Sequence, residues 1–437
     1  MNKVIPRTLP GFMELLPQDQ ILFNNMYDTI RKVYERFGFL PIDTPTIELS
    51  EVLLAKAGGE TEKQIYRFNK GDSDLSLRFD LTVPLARYTA EHFNDLVFPF
   101  KRYQMSKVFR GERPQKGRFR EFYQCDIDVI GQEDLDLIFD AEIPTVIYNV
   151  FQEFNIGKFT IRINNRKILY GFFAALDLEE QASDILRVID KIDKIGAEEV
   201  TKELLEFNID LDSVTKIMNF IAIKGANDEV INSLRALNIE NEQFNLGIDE
   251  LEAVINGLRD FNVPEDYFKI DLTIARGLDY YTGTVYETIL DEYPRLGSVC
   301  SGGRYENLTG YYTEQKLPGI GISIGLTRLF SQLKEIELIE NSKRSLTQVL
   351  VIPFDKKDIR YTLNLASKIR EAGINTDVYY QNKGMKQKMK YADRLDIPYV
   401  ILIGEDEVNA NKAMLKNMLT GEQQLLSAEE IIEQLTK

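Results

Sequence analysis

Apolar residues near the N-terminus recur with the period of an α-helix. They stand at intervals of three or four positions, at Leu22, Met26, Ile30, Val33 and Phe37. Pro17 lies near the start of this pattern and Gly38 follows its end, as is typical of helix boundaries. The pattern predicts an amphipathic first helix. Residues 39–47 then read as an extended segment interrupted by prolines, which belongs at a sheet edge or an interface rather than inside a sheet.

The pattern changes character twice in the middle of the chain. Residues 75–84 and 101–131 alternate like strands, whereas 178–258 contain only helix-forming stretches rich in Leu, Ile, Glu, Lys and Asp. Strand signals return at 269–290, 298–305 and 319–325, and a helix follows from Leu326. We therefore expect one core, formed by residues 1–177 and 259–331, that is interrupted by a helical insertion at 178–258.

The last part of the chain has a different periodicity. Residues 332–345 are polar and read as a linker. Beyond them, continuous apolar strands near 348–353, 376–380 and 399–404 alternate with helices. Strands of this kind are typical of a sheet covered on both faces, so 346–437 should form a separate α/β domain.

Composition excludes several classes of protein. The chain has 437 residues with two cysteines and a single histidine, His92, in a stretch that reads as a helix end. A Ser-His-Asp triad would depend on that residue, a His-Glu-x-x-His zinc site is impossible, and we expect no resident metal. No apolar run is long enough to span a membrane and the N-terminus lacks a secretory signal, so we expect a cytoplasmic protein without membrane association.

Charge points to an anionic partner at particular places. The net charge is −16, which argues against general coating of nucleic acid. Two basic clusters nevertheless stand out: 101–121 carries eight basic and two acidic residues, and the second contains Lys383, Lys386, Lys388 and Lys390. A solvated helix face is the alternative interpretation of the second cluster.

Candidate chemistry concentrates in residues 109–131. This stretch reads as a strand, a basic loop and a returning strand in which Gln124, Asp126 and Asp128 share one face. Such a face is either open to solvent or the floor of a pocket. A second strand-like stretch places Arg78, Asp80 and Thr82 together, and 276–283 adds arginine, aspartate and tyrosines. Arginines suit phosphate and carboxylates suit an ammonium group, which suggests an amino acid beside a nucleotide.

Other nucleotide motifs are absent from the sequence. The glycines of 319–325 lack the spacing of a dinucleotide fingerprint, and no Gly-x-x-x-x-Gly-Lys-Ser/Thr loop occurs. Phosphate binding should therefore depend on arginines.

These stretches closely resemble the histidyl-tRNA synthetase family of class II aminoacyl-tRNA synthetases. Residues 109–131 resemble motif 2, 321–329 resemble motif 3, and the segment around Pro45 resembles motif 1. Arg276-Gly277-Leu278-Asp279-Tyr280-Tyr281-Thr282-Gly283 and Ser301-Gly302-Gly303-Arg304-Tyr305-Glu306 resemble stretches specific to the histidine enzyme. The resemblance implies an α/β protein with an α+β core: an antiparallel class II sheet flanked by helices, a helical insertion and a C-terminal α/β anticodon-binding domain.

The resemblance also implies roles for particular residues. For ATP, the implied catalytic residues are Arg276 and Arg110, with Glu112 on the adenine amino group and Arg328 on the γ-phosphate end or the ring. For histidine, the implied residues are Asp80, Thr82 and Gln124 at the α-amino group and Asp128, Tyr280 and Tyr281 at the imidazole. Some family members carry glutamate where this chain has Asp80 and Asp128. For the tRNA acceptor end, the implied loop residues are Arg113, Lys116, Arg118 and Arg120.

The implied reaction needs no protein nucleophile. The carboxylate of L-histidine attacks the α-phosphorus of ATP, pyrophosphate leaves, and histidine then passes to the 3′ end of its tRNA. Catalysis is positioning together with cationic stabilisation of phosphate charge, with Mg²⁺ accompanying ATP. The resemblance further implies a homodimer.

Three alternatives belong to other functional classes. A related non-catalytic regulatory subunit of histidine biosynthesis lacks the anticodon-binding domain and has degraded ATP-site arginines, whereas Arg110, Arg276, Arg328 and 346–437 are all present here. A sensor of uncharged tRNA would belong to a longer chain with a kinase. An unrelated ATP-dependent acid ligase is less compatible with the paired tyrosines and the C-terminal domain.

Overall fold

The computed structural model describes residues 3–55, 60–113, 117–274, 281–306, 308–340 and 343–436. The chain divides into two compact units: unit 1 comprises Met1–Met13 and Met26–Ile339, and unit 2 comprises Glu14–Asn25 and Glu340–Lys437. This division differs from the predicted one in that Glu14–Asn25 group with the C-terminal part of the chain.

Helix α1 and the extended segment after it form as predicted. Helix α1 (Pro17–Arg36) ends before Gly38, whose positive φ of 79° is easily adopted by glycine. Strand β1 (Leu40–Pro41) pairs with the first long strand at one edge of the main sheet, where a proline costs no ladder hydrogen bond.

Unit 1 is built on two sheets. Its strands are β1, β2 (Ile47–Leu49), β3 (Arg67–Lys70), β4 (Ser73–Leu77), β5 (Phe100–Phe109), β6 (Glu121–Ile130), β7 (Phe159–Asn165), β8 (Phe268–Ile270), β9 (Tyr281–Leu290), β10 (Cys300–Tyr305) and β11 (Gly319–Ile324). Within the described ranges, one sheet has the order β1-β5-β6-β11-β10-β9-β7-β8 and the other has the order β2-β4-β3. The larger sheet is antiparallel except at its edge pairs, β1–β5 and β7–β8.

Helices flank this sheet and make up the insertion. They are α2 (Ser50–Leu54), α3 (Glu60–Gln64), α4 (Thr82–Glu91), α5 (Phe139–Phe154), α6 (Arg166–Ala174), α7 (Ala182–Ile189), α8 (Ile192–Ile195), α9 (Ala197–Glu206), α10 (Leu211–Ile221), α11 (Asn227–Ala236), α12 (Glu242–Asp260) and α13 (Leu326–Glu335). Among the described residues of 178–258 there is no strand. Helix α13 continues to Glu335, so the first residues of the predicted linker are helical.

Unit 2 contains the predicted parallel strands and two that the sequence pattern missed. Its strands are β12 (Val349–Pro353), β13 (Thr376–Val378), β14 (Tyr399–Ile403), β15 (Ala413–Asn417) and β16 (Gln423–Leu426), and its helices are α14 (Ile359–Glu371), α15 (Met385–Arg394), α16 (Glu405–Ala410) and α17 (Ala428–Thr436). Strand β12 is parallel to β13 and β14, whereas β15 and β16 are antiparallel additions. Strand β16 has the sequence Gln-Gln-Leu-Leu and is largely exposed, so it shows neither alternation nor a continuous apolar run.

Two glycines bring the central strands of the large sheet close to a buried carboxyl group. Gly321 of β11 pairs with Asp128 of β6, and a Cβ atom at Gly321 would lie 2.0 Å from Asp128 Oδ1. A Cβ atom at Gly302 would lie 2.1 Å from the Gly321 carbonyl oxygen. A side chain at either position would therefore displace the groups that form the candidate site. The mixed fold class is confirmed, with a large, mainly antiparallel sheet, flanking helices and a C-terminal α/β unit.

Candidate active site

The candidate site is a cavity of about 480 Å³ in unit 1, over strands β6, β11, β10 and β9. Of the residues predicted from sequence, those that line it are Asp80, Thr82, Arg110, Glu112, Arg118, Gln124, Asp128, Tyr281 and Arg328. These residues come from β6, β9, α13, the segment before α4, the first turn of α4 and the loop between β5 and β6. Side chains that are far apart in sequence therefore meet in one cavity.

The polar face of β6 forms the acidic floor of this cavity. Gln124, Asp126 and Asp128 are 9%, 3% and 3% exposed and all line the cavity, while Cys125 and Ile127 between them are buried in the core. Of the two interpretations that alternation left open, solvent exposure is therefore excluded and a pocket floor is confirmed.

Asp128 is held by two side chains at the base of the cavity. Its Oδ2 atom lies 2.6 Å from Nη2 of the fully buried Arg102, and the Tyr305 hydroxyl donates to Oδ1 at 2.9 Å. Burial raises the pKa of Asp128 to about 7, and the positive charge of Arg102 opposes that increase. Arg102 is therefore the main group that keeps the pKa of this buried carboxyl group from rising further.

Two more carboxyl groups share this environment. Burial raises the pKa of Asp80 and that of Asp126 to about 6. Gln124 Nε2 donates to Ser323 Oγ at 2.8 Å, whereas Gln124 Oε1 and Asp126 Oδ1 are buried with no hydrogen-bond partner among the described residues. These two acceptors are available to a ligand that donates hydrogen bonds.

The predicted strand face of Arg78, Asp80 and Thr82 is wrong. Strand β4 ends at Leu77 and α4 begins at Thr82, so these residues occupy a connection and a helix start. Asp80 Oδ1 accepts from the backbone N–H of Val83 at 3.1 Å, which satisfies a donor of the first helical turn. Asp80 and Thr82 still line the cavity, while Arg78 donates to the backbone carbonyl of Lys107 and is absent from the lining.

Arginine side chains also line the cavity. Arg110 Nε donates to the Phe79 carbonyl oxygen at 3.0 Å, and its guanidinium lies 5.2 Å from the centre of the Phe122 ring. Arg328 Nη2 donates to the Leu296 carbonyl oxygen at 2.9 Å. These contacts orient both side chains and leave part of each guanidinium fork for an anion such as a phosphate group.

The remaining predicted residues divide into two groups. Arg113 and Arg120 are described but do not line the cavity, and Arg120 Nε donates to the Glu112 carbonyl oxygen at 2.9 Å. Arg118 Nη1 lies 3.4 Å from Glu112 Oε2. Arg276, Tyr280 and Lys116 lie outside the described residues.

The basic cluster at 101–121 is not one exposed surface. Alternation along β5 turns Arg102 into the core, where it meets Asp128, while Lys101 pairs with Glu142 at 2.8 Å. Lys107 pairs with Glu121 at 2.9 Å. The sequence interpretation missed Arg102 because it counted charge along the chain without assigning sides of the strand.

Tyr305 is a second residue that the sequence interpretation left without a role. Its stretch was singled out, and β10 places the Tyr305 ring over Gly319, where a Cβ atom would lie 2.4 Å from the ring. The absent side chain at Gly319 therefore makes room for the tyrosine that contacts Asp128.

The lysine cluster of unit 2 also needs correction. Lys388 is 4% exposed and donates from Nζ to the Pro353 carbonyl oxygen at 2.6 Å, whereas Lys383, Lys386 and Lys390 are exposed. Tyr379 packs edge-on against Tyr391, with ring centroids 5.3 Å apart. Tyr380 is 64% exposed, so one of the two adjacent tyrosines belongs to the core, as expected.

Three further findings limit the chemistry. His92 follows α4 as its C-terminal cap and packs against Tyr88 with the two rings tilted by 51°, outside the cavity lining. Among the described residues, no three His, Cys, Asp or Glu side chains are grouped as a metal site. The same ranges contain no helix with the length and apolar character of a membrane span. The cavity combines groups that can accept hydrogen bonds from a ligand with arginines that can bind phosphate.

Comparison with known proteins agrees with this geometry. Residues 11–329 match the family model for histidyl-tRNA synthetase, and 348–437 match an anticodon binding domain. A histidine–tRNA ligase of Clostridium tetani is 62% identical over 98% of both chains, and one of Finegoldia magna is 47% identical over 98% of this chain and 99% of its own. The crystal structure of histidyl-tRNA synthetase from Nostoc sp. PCC 7120 has a TM-score of 0.91 and 44% identity over 99% of both chains.

Proposed function

The chain belongs to the histidyl-tRNA synthetase family, and from this premise we propose how its cavity carries out the family's reaction. The enzyme is a histidine–tRNA ligase: it activates L-histidine with ATP and attaches histidine to its tRNA. The regulatory-subunit alternative has no support from the curated relatives, which are ligases along 98% of this chain. The observation that carries the residue assignment is the make-up of the cavity, which combines buried carboxyl groups with arginines.

At the acidic end, the ligand's nitrogen atoms meet oxygen atoms of the protein. Asp80, Thr82 and Gln124 bind the α-ammonium group, which is supported by the unpartnered Gln124 Oε1. Asp128 accepts an imidazole N–H while Tyr281 engages the other ring nitrogen, and Tyr280 is assigned beside them by family resemblance. An amino acid without those polar atoms would leave buried groups unpaired, which can supply ~10⁴–10⁵-fold discrimination.

At the basic end, Arg110 and Arg328 bind the triphosphate and Glu112 binds the adenine amino group. An oxygen of the histidine carboxylate forms a bond to the α-phosphorus as the bond to pyrophosphate breaks, and pyrophosphate leaves with its electron pair. Arg110 stabilises the charge that develops on the α-phosphate, and family resemblance assigns Arg276 to the same group. Fixed cations in a partly desolvated cavity contribute more to such a step than they would in water.

Magnesium would arrive with ATP. The cavity lining offers a carboxylate at Glu287, which fits an ion that takes most of its ligands from phosphate oxygens and water. The ion would neutralise charge on the phosphates.

Transfer to tRNA involves both units, each through its own basic residues. Arg113, Lys116, Arg118 and Arg120 meet the acceptor end, where a terminal ribose hydroxyl attacks the adenylate and AMP leaves. The C-terminal domain contacts the anticodon region of the tRNA. The contacting residues are the exposed Lys386 and Lys390 of α15 and Lys383 in the segment before it.

The assembly and the location are also proposals. Leu40, Ile47 and Leu49 of β1 and β2 are 59%, 47% and 49% exposed, which supports a homodimer formed through this apolar segment. A mass measurement by light scattering that found a monomer at micromolar concentration would contradict this proposal. We place the enzyme in the cytoplasm because its tRNA substrate is used there.

Isotope exchange tests the proposed function. Purified enzyme with ATP, Mg²⁺ and radioactive pyrophosphate should label ATP when histidine is added and should fail to do so with each of the other amino acids. Exchange that depends on a different amino acid would contradict the substrate assignment. Absence of exchange with every amino acid would contradict the activity itself.

A further inference from the structure

Arg102 is a buried cation whose hydrogen bonds are incomplete. It is 0% exposed and contacts Asp128 Oδ2 through Nη2 at 2.6 Å, and the same nitrogen lies 3.4 Å from the Leu81 carbonyl oxygen. Its Nε and Nη1 atoms have no hydrogen-bond partner among the described residues. A buried guanidinium normally forms more bonds than this, so its position calls for an explanation beyond packing.

The charge around Arg102 is predominantly negative. Asp128 and Asp126 face it from β6, and Asp80 faces it from the segment before α4. Tyr305 of β10 contacts Asp128, and Tyr281 of β9 lies beside Tyr305. Arg110, which follows β5, adds a second positive charge near Asp80 and Asp126. Asp80, Asp126 and Asp128 thus have a common counter-ion in Arg102, which is fully buried.

We propose that Arg102 is a positioning residue for the imidazole ring: it holds the Asp128 carboxyl group ionised and aimed at the ligand. This inference rests on the proposed function, because it takes Asp128 as the acceptor of the imidazole N–H. Arg102 itself lies outside the cavity lining, so it acts through Asp128.

The physical reason is the cost of an uncompensated buried charge. Without Arg102, Asp128 would stand beside Asp80 and Asp126 with the Tyr305 hydroxyl as its hydrogen-bond donor. A carboxyl group in that environment takes up a proton rather than remain charged. A protonated Asp128 would present O–H where the imidazole N–H needs an acceptor, and histidine binding would weaken.

The pH dependence of histidine binding distinguishes this role from a structural one. We would measure the KM for histidine by pyrophosphate exchange from pH 6 to 9 for the wild type and for Arg102→Met. The ratio of the two KM values cancels the titration of histidine itself, whose imidazole has a pKa near 6.5. At pH 7 the ratio should be at least about tenfold, and it should fall as the pH rises because hydroxide restores the ionised Asp128 in the variant. The KM for ATP should stay within about twofold of the wild type.

Matched variants isolate the pair. Arg102→Lys keeps the charge and should restore part of the affinity at pH 7. In an Asp128→Asn background, Arg102→Met should add no further pH dependence, because the group that it acts on is gone. Arg304→Met breaks the buried pair with Asp140 in the same unit, so it should lower the melting temperature while its KM ratio stays flat across pH.

A direct measurement covers the case in which Arg102→Met does not fold. Protonation of Asp128 can be followed by the infrared carbonyl band of a protonated carboxyl group, and Asp128→Asn should abolish that band. Tyr305→Phe removes the other hydrogen-bond donor to Asp128, so the band should appear at higher pH in this variant. A KM ratio for Arg102→Met that is constant across pH, or a pH slope shared by Arg304→Met, would overturn the role of Arg102. With Arg102→Met unfolded, Arg102→Gln removes the charge in its place, and an infrared band that Arg102→Gln leaves at the wild-type pH would overturn it as well. Absence of histidine-dependent exchange in the wild type would instead overturn the proposed function and this inference together.

Discussion

Two buried arginine–aspartate pairs in unit 1 differ in what surrounds them. Arg304 binds Asp140 through both Nε and Nη2 and also donates to the Asp136 carbonyl oxygen, outside the cavity lining. Arg102 binds Asp128 through Nη2 alone, and Asp128 lines the cavity. The first pair is closed on itself, whereas the second leaves an acceptor facing a ligand. Burial of an ion pair therefore does not distinguish structure from function. What separates these two pairs is that the Asp128 carboxyl group lines the cavity and the Asp140 carboxyl group does not.

The largest expected effect comes from removing Arg110, a cation that lines the same cavity as Asp128 of the Arg102–Asp128 pair. Arg110→Ala should lower the rate of histidine-dependent pyrophosphate exchange by about 10³-fold, because a fixed positive charge at the developing phosphate charge is lost. Arg113→Ala, in the same loop but exposed and outside the cavity lining, should leave exchange nearly unchanged and should lower tRNA charging. Exchange by Arg110→Ala at a near-normal rate would remove Arg110 from the proposed chemistry.

Exchanging the two aspartates for asparagine breaks the comparison directly. Asp128→Asn should lower kcat/KM for histidine by about 100-fold, since a charged acceptor of the ligand's N–H is lost. Asp140→Asn should instead lower the free energy of unfolding by about 3–5 kcal/mol, because Arg304 is left buried without its counter-charge. Steady-state exchange kinetics and urea unfolding measure the two effects, and similar profiles for both variants would contradict the distinction.

The carboxyl group of Asp126, which lies next to the Arg102–Asp128 pair, should reduce the stability of the fold at high pH. The pKa of Asp126 is raised to about 6, so the folded state favours its protonated form, and this contribution to stability is present below pH 4 and lost as the pH rises through 6. Asp126→Asn should therefore raise the free energy of unfolding at pH 8 by at most about 3 kcal/mol and change little at pH 4. Chemical unfolding at both pH values checks the sign, and a variant that is destabilised at pH 8 would refute it.

The smallest expected effect is on tRNA charging, and it concerns exposed and buried lysines in unit 2. Replacing the exposed Lys383, Lys386 and Lys390 by alanine should weaken tRNA charging by about tenfold and reduce its salt dependence, while exchange stays normal. Lys388→Ala should instead lower the melting temperature, because Lys388 is buried against the Pro353 carbonyl oxygen. Unchanged charging by the triple variant would contradict a tRNA contact at α15.

Periodicity predicted the elements whose burial follows a regular pattern. The first helix, the strands of the C-terminal parallel sheet and the polar face of β6 were all readable, because one side of each element differs from the other. Strand β16 could not be predicted, since its four residues are mostly exposed and show no alternation of apolar and polar positions. The family resemblance, rather than periodicity, supplied the roles of individual site residues.

Tertiary register accounts for what the sequence could not show. Arg102 pairs with Asp128 across β5 and β6, and a basic residue in a basic stretch carries no local sign of that partner. Asp80 was assigned to a strand because alternation in a short segment cannot be distinguished from a helix start followed by apolar residues. The N–H of Val83, which Asp80 satisfies, becomes visible only once α4 is located.

A crystal structure with L-histidine and a non-hydrolysable ATP analogue tests the central claim most directly. We predict that the imidazole N–H lies within hydrogen-bond distance of Asp128, whose carboxyl group still contacts Arg102, and that the phosphates lie against Arg110 and Arg328. Imidazole bound at the arginine end, or an Asp128 carboxyl group that contacts water instead of the ligand, would contradict the account.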